Sequence, residues 1–316
     1  MFRARVAWLM GQLVASPLVA CTVLTLLVAA GLGGVWGCER RGAVNAAAAE
    51  GGVRVVALAP GFAQMLRASG AGDLLVGRHA YDAWSETSIA VCGDQSGVDY
   101  ERLVALRPTH VLFQRDATAT PQRLVAMAQA RGWKLIELPL LTLADVERAG
   151  ERVAGLVREA GREGGEPWRK LAGLKPPAGG TFHGRVLLLH GVDPPTALGP
   201  GSAHHELLLR VGGVAALTEG KPFATLDAEW ITALDPAGIV LIRPRRAGAG
   251  ARGGGDGIAG GGVEVLGSIG HLPIEAVRAG RVAVIDDEMA LVHGLNLAEV
   301  GAELDAILRR WASEGR

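Results

Sequence analysis

The chain is short of the groups that announce chemistry. It has three cysteines in 316 residues and no Cys-x-x-Cys pair, which excludes a zinc ribbon or a dithiol redox centre. It has no Gly-x-Ser-x-Gly elbow, no Walker loop and no Gly-x-Gly-x-x-Gly after a strand, so the common hydrolase and nucleotide-binding signatures are missing. It has no excess charge of either sign, with 32 basic and 32 acidic residues. Nucleic-acid binding needs a basic face, and none is signalled.

One segment, by contrast, occurs twice. Glu101-Arg-Leu-Val-Ala-Leu-Arg-Pro108 runs into the apolar stretch Val111–Phe113. Glu229-Trp-Ile-Thr-Ala-Leu-Asp-Pro236 runs into Ile239–Ile242, 128 residues later. An Asp stands two residues before each Glu, at Asp99 and Asp227. Each copy reads as a capped short helix stopped by proline, followed by a buried strand. Solenoid repeats recur every ~20–50 residues, so this distance implies two similar lobes instead, with a cleft between them.

The N-terminus reads as an export signal. Arg3 and Arg5 precede an uncharged run from Val6 to Trp36 that ends at Cys38. Val35-Trp36-Gly37-Cys38 resembles the lipobox of bacterial lipoproteins, with Trp36 where a small residue is usual; the resemblance implies a lipidated Cys38. The alternative is an uncleaved membrane anchor, because the run exceeds ~18 apolar residues. Either form tethers the rest of the chain outside the cytoplasmic membrane. Cys21 lies within the run, so with Cys38 lipidated Cys92 is alone and reads as a small buried apolar residue.

The expected organisation is a signal at 1–38, a flexible tether at 39–52 and an N-terminal lobe at 53–141. A connecting helix and linker at 142–175 lead to a C-terminal lobe at 181–316 with a glycine-rich insertion at 247–262. In the first lobe, strands are expected at 53–58, 74–76, 111–113 and 134–138, with a loop at 77–84 and a helix at 121–131. Strands alternating with helices predict parallel sheets. Thr142 with Asp145 three residues on forms a capping box; Leu143, Val146, Val153, Leu156 and Val157 then recur at helical spacing. The fold class is α/β: two Rossmann-like lobes joined by a single long helix, with the ligand cleft between them.

This order of elements resembles the helical-backbone (class III) substrate-binding proteins of ABC importers for ferric siderophores, haem and cobalamin. The resemblance spans Arg54 to Arg310. It rests on Val55-Val-Ala-Leu-Ala-Pro60, Leu103-Val-Ala-Leu-Arg-Pro108, Gly201-Ser202 followed by Glu206–Gly213, and Ala276-Val-Arg-Ala-Gly-Arg-Val282. Ala63-Gln64 departs from it, standing where the family often has Thr-Glu. The resemblance implies no enzyme and no resident cofactor, the ligand itself carrying cobalt or iron. It implies a monomer that works with an ABC permease and binds no nucleic acid. It makes Glu101 and Glu229 the permease-docking carboxylates; without it, each glutamate merely favours its helix N-terminus.

Ligand contacts are expected where loops follow strand ends. Tyr81 and Phe223 fall where cobalamin-binding members place aromatic contacts, and Val192–Gly199 looks like their corresponding loop. Gln95, Gln114 and Met289 stand where those members carry tryptophan. Arg243, Arg245 and Arg246 cluster past a strand end and would suit an anionic ferric chelate. Two further alternatives remain open. His79, His204 and His293, with Asp287 or Glu288, would make a free-metal site, or His293 an axial haem ligand. Ser202 with His204 would belong to an exported hydrolase.

Overall fold

A computed structural model of the chain describes residues 52–115, 119–177, 181–244, 258–259 and 262–314. The expected signal, Cys38, nearly all of the tether, Asp116, Arg245, Arg246 and most of the glycine-rich stretch lie outside these residues. Among the described residues no helix is long and apolar enough to cross a membrane.

The first lobe begins with β1 (Val55–Ala57), whose three residues are fully buried, as a strand covered on both faces requires. Pro60 opens α1 (Pro60–Ala68), where its fixed φ suits a first helical turn and its missing N–H costs nothing. Then come β2 (Leu75–His79), β3 (Ala90–Asp94), β4 (Gly97–Val98), α2 (Tyr100–Ala105), β5 (His110–Gln114), α3 (Gln122–Arg131) and β6 (Lys134–Leu138). The sheet order is β4-β3-β2-β1-β5-β6, parallel except for the edge strand β4.

Two features differ from expectation. β2 continues through Gly77, Arg78 and His79, which the sequence places in a loop, and β3 was not foreseen at all. A Cβ on Gly77 would lie 2.6 Å from the Cys92 sulfur, so glycine lets β2 and β3 approach. Arg78 is buried in a strand because backbone carbonyls take its guanidinium protons.

The connector is α4 (Leu143–Glu159), closed at its start by the expected capping box of Thr142 and Asp145. Its five predicted apolar positions are all buried. They belong to one continuous core that takes Val55, Phe62 and Leu112 from the first lobe and Leu188, Leu207 and Trp311 from the second. The helix is thus the spine of a shared core, and lobe rotation would expose apolar surface at ~25 cal/mol per Å². A short α5 (Arg169–Ala172) follows.

The second lobe contains β7 (Arg185–Val192), β8 (Pro195–Leu198), α6 (Ala203–Arg210), β9 (Val214–Ala215), β10 (Phe223–Thr225) and α7 (Ala228–Leu234). It continues with β11 (Gly238–Arg243), β12 (Ile258–Ala259), α8 (Glu275–Arg278), β13 (Val282–Asp286) and α9 (Leu297–Glu314). The order is β10-β8-β7-β11-β13-β12, with β9 on β7. β7, β9, β11 and β13 are parallel; β8 pairs antiparallel with β7, β10 antiparallel with β8, and β12 antiparallel with β13. The expected loop Val192–Gly199 is instead the turn and return strand of a β7–β8 hairpin, with a cis Asp193–Pro194 bond.

The repeated segment folds twice in the same way. The Asp99 carboxylate accepts the Arg102 N–H at 2.9 Å, and Asp227 accepts that of Trp230 at 2.7 Å. Arg107 and Asp235, each directly before the proline, are the two non-glycine residues with positive φ among those described, at 46° and 38°. Proline disfavours the right-handed helical conformation in its predecessor, so each helix stops at the same step.

Candidate functional site

In a parallel α/β sheet, loops that diverge at the reversal of strand order leave a crevice. In the first lobe that reversal lies between β1 and β5. The loops after β1, β2, β3 and β5, with residues 291–293 of the second lobe, line a cavity of about 810 Å³. Three expected contacts, Tyr81, Gln95 and Gln114, are on its wall, as are His79 and His293. Leu58, Pro60, Tyr100 and Phe113 line it too, and were missed. The order reversal beside β1 is the signal that identifies the Leu58–Gly61 turn, and it requires the strand order. Tyr100 is set by the Asp99 cap and covered by the Arg123 guanidinium, 4.3 Å from the ring centroid.

Among the described residues Tyr81 is the most exposed large aromatic at 55%, and Phe223, on β10, follows at 46%. Phe223 is not on the cavity wall itself. Its ring stacks on His293 at 6.3 Å and meets His190 edge-on at 5.9 Å. His293 is presented by a loop that Asn296 shapes, donating from Nδ2 to the carbonyls of Met289 (2.7 Å) and Val292 (3.0 Å). Gln64 ties the same loop to the first lobe: its Oε1 accepts the N–H of Leu295 at 2.6 Å and of Asn296 at 3.3 Å. The departure from the family pattern at Ala63-Gln64 therefore supplies a bond between the lobes.

Met289 is buried at 5% exposure and off the cavity wall, because Asp287 and Asn296 bind its backbone and turn its side chain inward. Arg243 is also absent from the wall; it pairs with Asp286 at 3.4 Å across neighbouring strand ends.

The histidines do not assemble as a metal site. Among the described residues no group of three His, Cys, Asp or Glu side chains is placed to hold an ion, with Asp287 and Glu288 included. The His79 Nδ1 is already engaged, accepting the Tyr81 N–H at 3.1 Å. His204 is fully buried behind His293, with ring centroids 5.5 Å apart, and its Nε2 meets the Ala290 carbonyl at 2.8 Å. Burial, with His293 adding to it, holds the His204 pKa down to about 4. Burial likewise lowers His190 and His293, so all three stay neutral at pH 7.

Ser202 is no nucleophile. It is fully buried as the N-cap of α6, its hydroxyl donating to the Gly199 carbonyl (2.8 Å) and accepting the His205 N–H (3.2 Å). With His204 committed to Ala290, the hydrolase alternative has no dyad. Cys92 is buried in the first-lobe core, and desolvation, with the Asp99 charge adding, pushes its thiol up to about 12. We expect iodoacetamide at pH 8 to leave folded protein unlabelled and to label Cys92 only after denaturation, read by mass spectrometry.

Glu101 and Glu229 both lie exposed in the first turn of their helices, and among the described residues neither is ion-paired. Trp230, beside Glu229, is also exposed.

No protein-family profile matches the chain. The vitamin B12-binding proteins of Salmonella typhimurium and Salmonella typhi are each 24% identical to it, over 199 and 192 residues, which is 60% of this chain and 71% of theirs. Among solved structures, the periplasmic heme-binding protein HutB of Vibrio cholerae matches with a TM-score of 0.63 at 16% identity, covering 81% of this chain and 98% of that one. The periplasmic vitamin B12-binding protein BtuF of Vibrio cholerae matches at 0.61 and 16%, covering 81% and 96%. The two lobes on one helix, the order of their elements and these likenesses show that the chain has the two-lobed α/β fold of these periplasmic binding proteins.

Proposed function

We propose that this protein is an extracytoplasmic receptor, tethered through its N-terminal segment, that captures a metal tetrapyrrole and delivers it to an ABC permease. A corrinoid is the first choice of ligand. The observation that carries the reading is the cavity of about 810 Å³ beside the exposed rings of Tyr81 and Phe223. A cleft of that size is far larger than a bare ion needs and suits a broad ligand with apolar faces. The B12-binding relatives support the corrinoid choice.

The ferric-siderophore choice is weaker. No Arg or Lys of the described residues lines the cavity, Asp94 does, and Arg243 is already paired. Among the described residues an anionic chelate would find no cation on the wall. Haem is the second reading, favoured by His293, which lines the cavity and keeps a buried Nε2 that has no protein partner and that a small ring movement would have to uncover. A neutral imidazole nitrogen of that kind is a donor that iron accepts.

Calorimetric titration with cyanocobalamin tests the first reading. The expected result is one-to-one binding at micromolar affinity or tighter. Tyr81→Ala and Phe223→Ala should each weaken it by roughly 10- to 100-fold, the worth of one buried aromatic side chain. Folded protein that takes up no cyanocobalamin but shifts the absorbance of hemin would move the assignment to haem. Folded protein that binds neither would remove the tetrapyrrole.

A further inference from the structure

β2 ends at the cleft with His79, and residues 80–89 form neither helix nor strand before β3 begins. A surface loop of that length is ordinarily mobile. This one is tied from inside. The buried Arg78 guanidinium donates through Nε to the Ile89 carbonyl at 3.2 Å, and through Nη1 to those of His79 at 3.3 Å and Asp82 at 3.1 Å. One side chain thereby holds the loop at its start, its middle and its end. Asp82 closes the turn, its Oδ1 accepting the N–H of Trp84 at 3.1 Å and of Ser85 at 3.2 Å. Between them, the His79 Nδ1 accepts the Tyr81 N–H, and the two rings lie 5.4 Å apart.

We propose that Arg78 and His79 are positioning residues that set Tyr81 at the cleft mouth before any ligand arrives. Arg78 holds the loop, and His79 holds the Tyr81 backbone through its Nδ1 lone pair. The inference rests on the reading of the cleft as the ligand site. Its physical content is pre-organisation: ordering of the loop is completed in folding and no longer opposes binding.

The hold requires a neutral imidazole. Nδ1 must keep its lone pair for Tyr81, so the one proton of the neutral ring sits on Nε2 and a second would face the Tyr81 N–H. The charges around the ring are the carboxylates of Asp94, on β3, and Asp82, in the loop, and both favour protonation. Burial outweighs them and keeps the His79 pKa below its ordinary value. Because the held form binds its proton less readily than the released form, the hold is complete at neutral pH. It weakens as pH falls from about 6.5 toward that lowered value.

Hydrogen exchange of the full-length protein in detergent, without ligand, tests the proposal over peptides covering 80–89. His79→Phe removes the acceptor. His79→Asn restores it without a titrating group, since an Asn side chain can accept the N–H two residues on. Loop protection should fall about tenfold in H79F and stay near wild type in H79N, with β1 equally protected in all three, as loss of one hydrogen bond implies. Between pH 7.5 and 5.5, corrected for intrinsic exchange, wild type should lose protection at 80–89 and H79N should not. Cyanocobalamin affinity should follow the same order, about three- to tenfold weaker in H79F. Unchanged loop protection in H79F, or an equal pH loss in H79N, overturns the proposal. Should wild type bind no cyanocobalamin, the corrinoid reading falls and the exchange data alone decide the positioning.

Discussion

Converting both Glu101 and Glu229 to lysine should abolish ligand uptake through the permease while leaving cyanocobalamin affinity within about twofold. Both glutamates sit in the first turn of matching helices, each capped by an Asp, and each carboxylate is exposed and without an ion pair among the described residues. An intramolecular role would give at least one of them a partner. A carboxylate that keeps its hydration in the free protein loses little by waiting for an arginine on a docking partner. Truncating one member of a buried interfacial charge pair costs roughly 2–5 kcal/mol, and reversal adds repulsion, so two reversals exceed a thousandfold in affinity. Single reversals should reduce uptake without abolishing it. Uptake into proteoliposomes carrying the permease, beside calorimetry on the same variants, is the measurement. Undiminished uptake in the double variant would remove the docking role and leave both residues as helix-start charges worth ~0.3–1 kcal/mol each.

Gly61→Val should destabilise the fold by about 3 kcal/mol or more, lowering the melting temperature by roughly 6–12 °C. Even the first carbon of a side chain at Gly61 would sit 2.3 Å from the carbonyl oxygen of His293, a backbone atom of the other lobe. Gly294 faces the same junction, where a Cβ would lie 2.4 Å from the Gln64 Oε1. The absence of both side chains lets α1 meet the 291–296 loop closely enough for Gln64 to bond Leu295 and Asn296. A valine must push that loop away and break those bonds. Because His293 lines the cavity, the variant should also bind cyanocobalamin more weakly than its stability loss explains. Circular dichroism melts with parallel titrations measure both effects. A melting temperature within about 2 °C of wild type would show that the junction yields more easily than two packed backbones should.

Much of this was legible because it is local. The capping box of Thr142 and Asp145 involves residues three apart, and the buried stripe of α4 follows from spacing alone. The repeated Asp-x-Glu starts and the proline stops fold as read in both lobes, since cap and stop lie within one short helix. Tyr81, Gln95 and Gln114 follow strand ends, and the rule that sites gather there placed them on the cavity wall.

The misreadings share a different cause. Gly77-Arg78-His79 looks like a loop because strands seldom carry such residues; Arg78 belongs there only because the Ile89 and Asp82 carbonyls, distant in sequence, receive its protons. Met289 looks available until Asn296 turns its loop, and Arg243 looks like an anion ligand until Asp286 arrives on the neighbouring strand. His79 looks like a metal ligand until the Tyr81 N–H occupies its Nδ1.

The sequence by itself determined two α/β lobes, the helix between them and the matched glutamates, because periodicity, caps and proline stops act over a few residues. Only the tertiary structure decided which side chains keep a free polar atom at the cleft. That depends on partners tens to hundreds of residues away, and a polar group is available to a ligand only if the fold has not already satisfied it.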